Sequence, residues 1–193
     1  MEKKNNIVNR SLEVKYNQNR RDCVYTPEDL AVKLIKQIKV SKTDVLLDPA
    51  SGSGVFYRNF PADNRSHKCE IEKGSDYFKF NQKVDWIITN PPYSILNRYL
   101  EHSLKLSQKG IAFLVGSYSL TPLRMEMIEK AGFKISKLHY FKVSNWFGIQ
   151  CFMVLQKNHP AGTEVTYSRK VYQCSNHIKR SINQKAVGDY GKN

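Results

Sequence analysis

In the stretch DWIITNPPYS (residues 85–94), the apolar residues Trp86, Ile87 and Ile88 run almost to Asn90 and stop. A short β-branched run closed by a breaker reads as a buried strand. Taken alone, Asn-Pro is an ordinary turn opening. Here a second proline and Tyr93 follow, which is a stiffer exit than a turn requires. Pro91 fixes its own φ, and Pro92 keeps residue 91 extended, so the carbonyl between them has a set direction. A strand that ends in an amide, an aimed carbonyl and an aromatic ring carries groups suited to holding a ligand.

The flanking sequence supplies the rest of the fold. DVLLDPASGSGVF (44–56) reads as a strand over Val45–Leu47, an acid, a glycine loop and an apolar helix start. KCEIE (68–72) reads as a second strand leading into GSDYFKF. Upstream, YTPEDLAVKLIKQI predicts a helix of about three turns. Thr26 can cap it, Pro27 suits its first position, and Glu28 and Asp29 favour its positive end. Leu30, Leu34, Ile35 and Ile38 share one face. Downstream come a helix from about Leu96 to Leu106, a buried strand GIAFLVGS, and a second Thr-Pro helix start at Thr121 that ends at Gly132. KISKLHYFKV and IQCFMVLQK read as paired strands joined by SNWFG. Strands alternating with helices and closing in a hairpin predict an α/β sandwich, its sheet mostly parallel with an antiparallel terminal hairpin.

The 193 residues carry 31 Lys and Arg against 17 Asp and Glu, a net charge of +14, with an ordinary 40% of hydrophobic residues. Such an excess attracts polyanions, of which nucleic acid is the commonest. The charge gathers at the ends. Residues 1–21 form a basic arm with Lys3, Lys4, Arg10, Lys15, Arg20 and Arg21. Residues 158–193 form a basic extension with Arg169, Lys170, Lys179, Arg180 and Lys185, in which no element is legible. The domain proper spans 22–157. Cys23, Cys69, Cys151 and Cys174 lack metal spacing and read as free thiols in a reducing compartment, with no metal expected. The polar start MEKKNNIVNR and the lack of a membrane-length apolar run predict a cytoplasmic protein, nuclear if the source is eukaryotic, with no membrane association.

In open α/β sheets, ligands lie outside the carboxyl ends of the strands. Asp48, Glu70, Asp76 and Asn90 fall at or after such ends, and Gly52-Ser53-Gly54 lets a ligand approach the backbone. The loop lacks the third glycine of a dinucleotide fingerprint and the Lys-Ser/Thr of a phosphate loop. An acid before the glycines and another on the next strand suit a cationic ligand that carries ribose hydroxyls.

At these residues the chain resembles a family. DPASGSGVF and NPPY look like motifs one and four of the S-adenosylmethionine-dependent amino-methyltransferases. YTPEDLA, placed before them, is similar to the N-terminal helix motif of DNA adenine-N6 methyltransferases of gamma-like order, including small phage methylases. The resemblance covers roughly residues 22–157. It implies a Rossmann-like methyltransferase sandwich with S-adenosyl-L-methionine as cofactor. Tyr25, Thr26 and Pro27 would lie along the methionine end. Asp48, Ala50, Gly52 and Gly54 would hold the amino-acid and sulfonium region. Glu70, or its same-face rival Glu72, would bind the ribose, while Asp76 with Tyr77 or Phe78 would bind the adenine. The chain departs from the family in brevity, since little room is left for a helix between the second and third strands.

The resemblance also gives NPPY a chemical reading. An exocyclic adenine nitrogen is a poor nucleophile because its lone pair is shared with the ring. The Asn90 side-chain oxygen and the Pro91 carbonyl, aimed by Pro92, can accept its two N–H protons and draw the lone pair toward the methyl donor. Tyr93 offers a stacking face worth about 1–3 kcal/mol. Trp146 and Phe147 stand where the family places an aromatic against the other face of the base, although a core role in the hairpin is an equal reading. Expected, then, is methyl transfer to adenine N6 in DNA rather than RNA, with target recognition either short and loose or supplied by a partner protein. The alternatives are RNA methylation, methylation of a glutamine side-chain amide in a protein, and a non-catalytic nucleic-acid-binding subunit.

Overall fold

A computed structural model describes residues 25–144 and 146–174 of the chain. The N-terminal basic cluster, Cys23, Lys179, Arg180 and Lys185 lie outside the described residues. Within them, seven strands form one sheet: β1 (Leu46–Asp48), β2 (Ser66–Lys68), β3 (Val84–Thr89), β4 (Ser107–Gly116), β5 (Phe133–Val143), β6 (Gln150–Lys157) and β7 (Glu164–Tyr172). Their order is β2-β1-β3-β4-β6-β5-β7. β2, β1, β3 and β4 are mutually parallel, β6 runs antiparallel between β4 and β5, and β7 is parallel to β5.

Alternation along the central strands builds a core on each face. Trp86 and Ile88 of β3 face one layer, with Leu30 and Leu34 of helix α1 (Glu28–Ile35). Ile87 faces the other, with Leu100 and Leu104 of α2 (Leu96–Leu106) and Ile128 of α3 (Pro122–Lys130). Every residue of β3 from Trp86 to Thr89 is buried, as a parallel strand covered on both sides requires. The mostly parallel sandwich and its β5–β6 hairpin match the expectation from sequence.

Several elements differ from that expectation. The second strand is Ser66–Lys68, not residues 68–72. From Glu70 the chain curls into a 3-10 turn over Ile71–Lys73, because the Glu70 carboxylate accepts the Glu72 N–H. The first strand is displaced by one residue, to Leu46–Asp48. The apolar helix start after the glycine loop is only a 3-10 turn, Tyr57–Asn59, with Val55 and Phe56 sunk into the core before it. Between β2 and β3 there are 3-10 turns and no helix among the described residues, in line with the short interval. α1 is shorter than three turns, with Pro27 at its cap position and no side-chain cap, so Thr26 is freed for another bond. The polar stretch after Lys157 contributes β7, which covers the outer strand of the hairpin.

β7 also seats α1. Tyr172 is fully buried, its ring edge-on to Phe141 and flanked by the ammonium groups of Lys33 and Lys170. Lys170 pairs with Asp29 at 2.6 Å. Cys174 donates its N–H to Ser144 Oγ at 3.0 Å and directs its thiol at the Tyr25 carbonyl.

Candidate active site

The carboxyl ends of β1, β3 and β4 meet at one edge of the sheet. Thr89 stands level with Phe113 of β4, and Leu47 with Ile87 of β3. Asp48, the last residue of β1, is wholly buried. One carboxylate oxygen accepts from Thr89 Oγ1 at 2.8 Å and the other from the Tyr57 N–H at 3.3 Å. Burial removes the water that would stabilise its charge and pushes its pKa from 3.8 up to about 7; hydrogen bonds from Thr89, Ala50 and Tyr57 pull the other way, and the nearby Glu70 charge adds to the rise.

Around Asp48 the chain folds a tight loop. Gly52 has φ +50°, and Gly54 φ +85°, a region L-residues rarely enter. A side chain at Gly52 would meet the Tyr25 ring at 3.7 Å and Glu70 Oε2 at 3.9 Å, so these three residues enclose one cradle. The Gly52 N–H donates to Glu70 Oε2. Glu70 is half-buried beside the loop while Glu72 is exposed. Ala50 lies partly buried, its N–H on Asp48.

The loop is tied to α1 by a residue that sequence reading passed over. Arg58 donates to the Ser53 carbonyl at 2.8 Å and to Glu28 at 2.6 Å, and Asn59 donates to the same carboxylate at 2.7 Å. Hydrogen bonds from Arg58 and Asn59 hold the Glu28 pKa down at about 2. Nothing local in the sequence marks this pair, because the partners are far apart in the chain.

Asp76 caps the turn Tyr77–Lys79 by accepting the Phe78 N–H at 2.9 Å. Tyr77 is turned into the core, its hydroxyl 2.7 Å from Ser103 Oγ and its ring against Tyr99. Phe78 is half-buried, with the Arg98 guanidinium 3.8 Å above its ring. Of these two aromatics, Phe78 is the one near the surface.

Asn90 follows β3 directly and is partly exposed. Its side-chain nitrogen donates to Thr26 Oγ1 at 3.3 Å. Pro91 is buried, Pro92 is extended at φ −64° and ψ 124°, and Tyr93 opens a 3-10 turn with its side chain partly against the core. Trp146 packs inward against the α1-side core with its indole N–H buried and without a partner among the described residues, whereas Phe147 stands 87% exposed. The structure therefore gathers Tyr25, Thr26, Asp48, Gly52, Glu70 and Asn90 at one edge, while the Tyr77 ring is buried in the core and Trp146 packs partly against it.

The sequence matches no protein-family model and no curated protein. Its fold has solved counterparts. A Pyrococcus horikoshii protein assigned as an RNA methyltransferase superposes with a TM-score of 0.56 at 16% identity, over 69% of this chain and 86% of that one. The type I restriction enzyme EcoKI M protein gives 0.56 at 11% identity, over 70% of this chain but only 44% of that one. The E. cuniculi Mtq2–Trm112 complex, responsible for methylation of the eRF1 translation termination factor, gives 0.53 at 15%, over 71% and 99%. Similar folds include S-adenosylmethionine-dependent methyltransferases, one solved with the cofactor bound. The chain has the fold of that class. Its counterparts act on different substrates, so the fold leaves the substrate to be argued from the site. No helix among the described residues is long and apolar enough to cross a membrane.

Proposed function

We propose that the protein transfers the methyl group of S-adenosyl-L-methionine to N6 of adenine in DNA. The observation that carries this reading is Asn90, at the end of β3, its amide nitrogen held by Thr26 beside the cradle of Tyr25, Gly52 and Glu70. With the nitrogen turned to Thr26, the amide oxygen is the group this reading assigns as acceptor.

The cradle fits the cofactor. Gly52 keeps open the space that a side chain would take between the Tyr25 ring and the Glu70 carboxylate. Glu70 and Asp76 offer carboxylates to ribose hydroxyls and adenine, Asp48, buried behind the loop, acts on the positively charged end through its charge, and the 52–54 loop offers backbone groups. When bound, the cofactor supplies an electrophilic methyl on a sulfonium. The chain's part is orientation. Asn90 Oδ1 and the Pro91 carbonyl accept the two N6 protons, and Tyr93 holds the base by stacking. No covalent enzyme intermediate is needed.

The same acceptor pair would suit a glutamine amide. The net charge of +14 favours a nucleic-acid substrate over that reading. Incubation with methyl-labelled cofactor and DNA, RNA or protein extract tests the proposal. Label recovered as N6-methyladenine in DNA is expected, and label confined to RNA or to protein would overturn it.

A further inference from the structure

Two exposed aromatic rings beyond NPPY stand at the same sheet edge. Tyr118 follows the end of β4, is 60% exposed, and lays its ring across Gly116. A Cβ at Gly116 would come within 2.6 Å of that ring, so only glycine admits the arrangement. Phe147 contacts Tyr118 with ring centroids 6.4 Å apart and planes at 67°. β4 lies beside β3, and Gly116 faces Gln150 at the start of β6, so both rings sit near the Asn90 edge at inter-strand steps of about 4.8 Å.

The exposure of Phe147 is built into the loop. The Lys142 ammonium donates to the carbonyls of Trp146 and Gly148, Gln150 donates to the Phe147 carbonyl at 2.8 Å, and the Ser117 N–H donates to the Ile149 carbonyl at 2.9 Å. One cation stands nearby: Arg124 donates to the Ser119 carbonyl, next to Tyr118, and to Asn97 of α2.

Resting on the reading above, we infer that Tyr118 and Phe147 form a stacking platform for bases flanking the target, and that the substrate strand is unpaired there. A ring face stacks on a base face, and in a duplex those faces are covered by neighbouring pairs. Rings set at 67° present faces in different directions, which suits a strand with splayed bases. Arg124 beside Tyr118 and the net charge of +14 suit its phosphates.

The test measures methyl transfer to an adenine-containing DNA oligonucleotide, single-stranded and as a duplex, by wild type, Tyr118→Ala, Tyr118→Leu and Phe147→Ala. Tyr118→Leu keeps an apolar cover over Gly116 and so separates stacking from folding. Expected is a preference for the single strand. In each variant the single-strand KM should rise by about 5- to 150-fold, the range one stacked base supplies, with cofactor KM unchanged. Equal use of duplex and single strand, with variants at wild-type KM, would overturn this inference and leave the adenine assignment standing. Transfer to a protein amide and to no nucleic acid would overturn both.

Discussion

Asn90 and Thr26, sixty-four positions apart, are joined by a 3.3 Å hydrogen bond from the amide nitrogen to the hydroxyl. The bond links the end of β3 to the segment before α1, so one contact orients the proposed acceptor and anchors one wall of the cradle.

Asn90→Ala should abolish methyl transfer while the protein stays folded and binds cofactor, because the residue is partly exposed and its loss leaves little cavity. Thr26→Val keeps the shape and removes the hydroxyl, so the rate should fall with the fold intact. Melting curves beside labelled-methyl transfer decide this. An Asn90→Ala protein that is destabilised but fully active per folded molecule would return the motif to a plain turn.

Asp48 gives the cofactor-free protein a pH signature. Its folded pKa, about 7, lies above its ordinary 3.8, so between these values the folded state holds a proton that the unfolded state has lost. Stability from this group is complete below about pH 4 and declines as pH rises toward about 7. Asp48→Asn should flatten that decline in urea titrations across the window. A cation bound beside Asp48 favours the carboxylate, so cofactor binding near neutral pH should release a proton, measurable by calorimetry in buffers of differing ionisation enthalpy.

Tyr172 separates packing from hydrogen bonding. Its ring is fully buried but its hydroxyl has no partner among the described residues. Tyr172→Phe should therefore leave stability unchanged or raise it, by up to about 3 kcal/mol. Tyr172→Ala should cost about 3–5 kcal/mol, as large buried aromatics do. Urea midpoints of the two variants check both expectations.

What the sequence revealed follows from which signals are local. β3 and NPPY were legible because an apolar run and a proline pair state their own conformation. α2 and α3 were legible from periodicity and the Thr-Pro start. β2 was misplaced because Ser66, His67 and Lys68 carry no apolar pattern; pairing with Leu46–Asp48 makes them a strand. β7 escaped for a related reason, since Val165, Tyr167 and Val171 are exposed on an edge strand amid basic residues. Thr26 carried a capping signal, yet its bond goes to a residue that only the tertiary fold brings near. Tyr118 belongs to no motif, and only the register of β4 against β3 puts it at the edge.

The seating of α1 by β7 has a consequence for how the protein is made. Asp29 emerges from the ribosome early, and its partner Lys170 follows 141 residues later. Until Tyr172 has been synthesised, the helix that follows Tyr25 and Thr26 lacks one side of its support. A nascent chain that has completed β1 to β6 thus has its glycine loop and NPPY turn but an unsupported wall between them. The wall that carries Tyr25 and Thr26 is therefore completed only when β7 is made, however early its own residues appear.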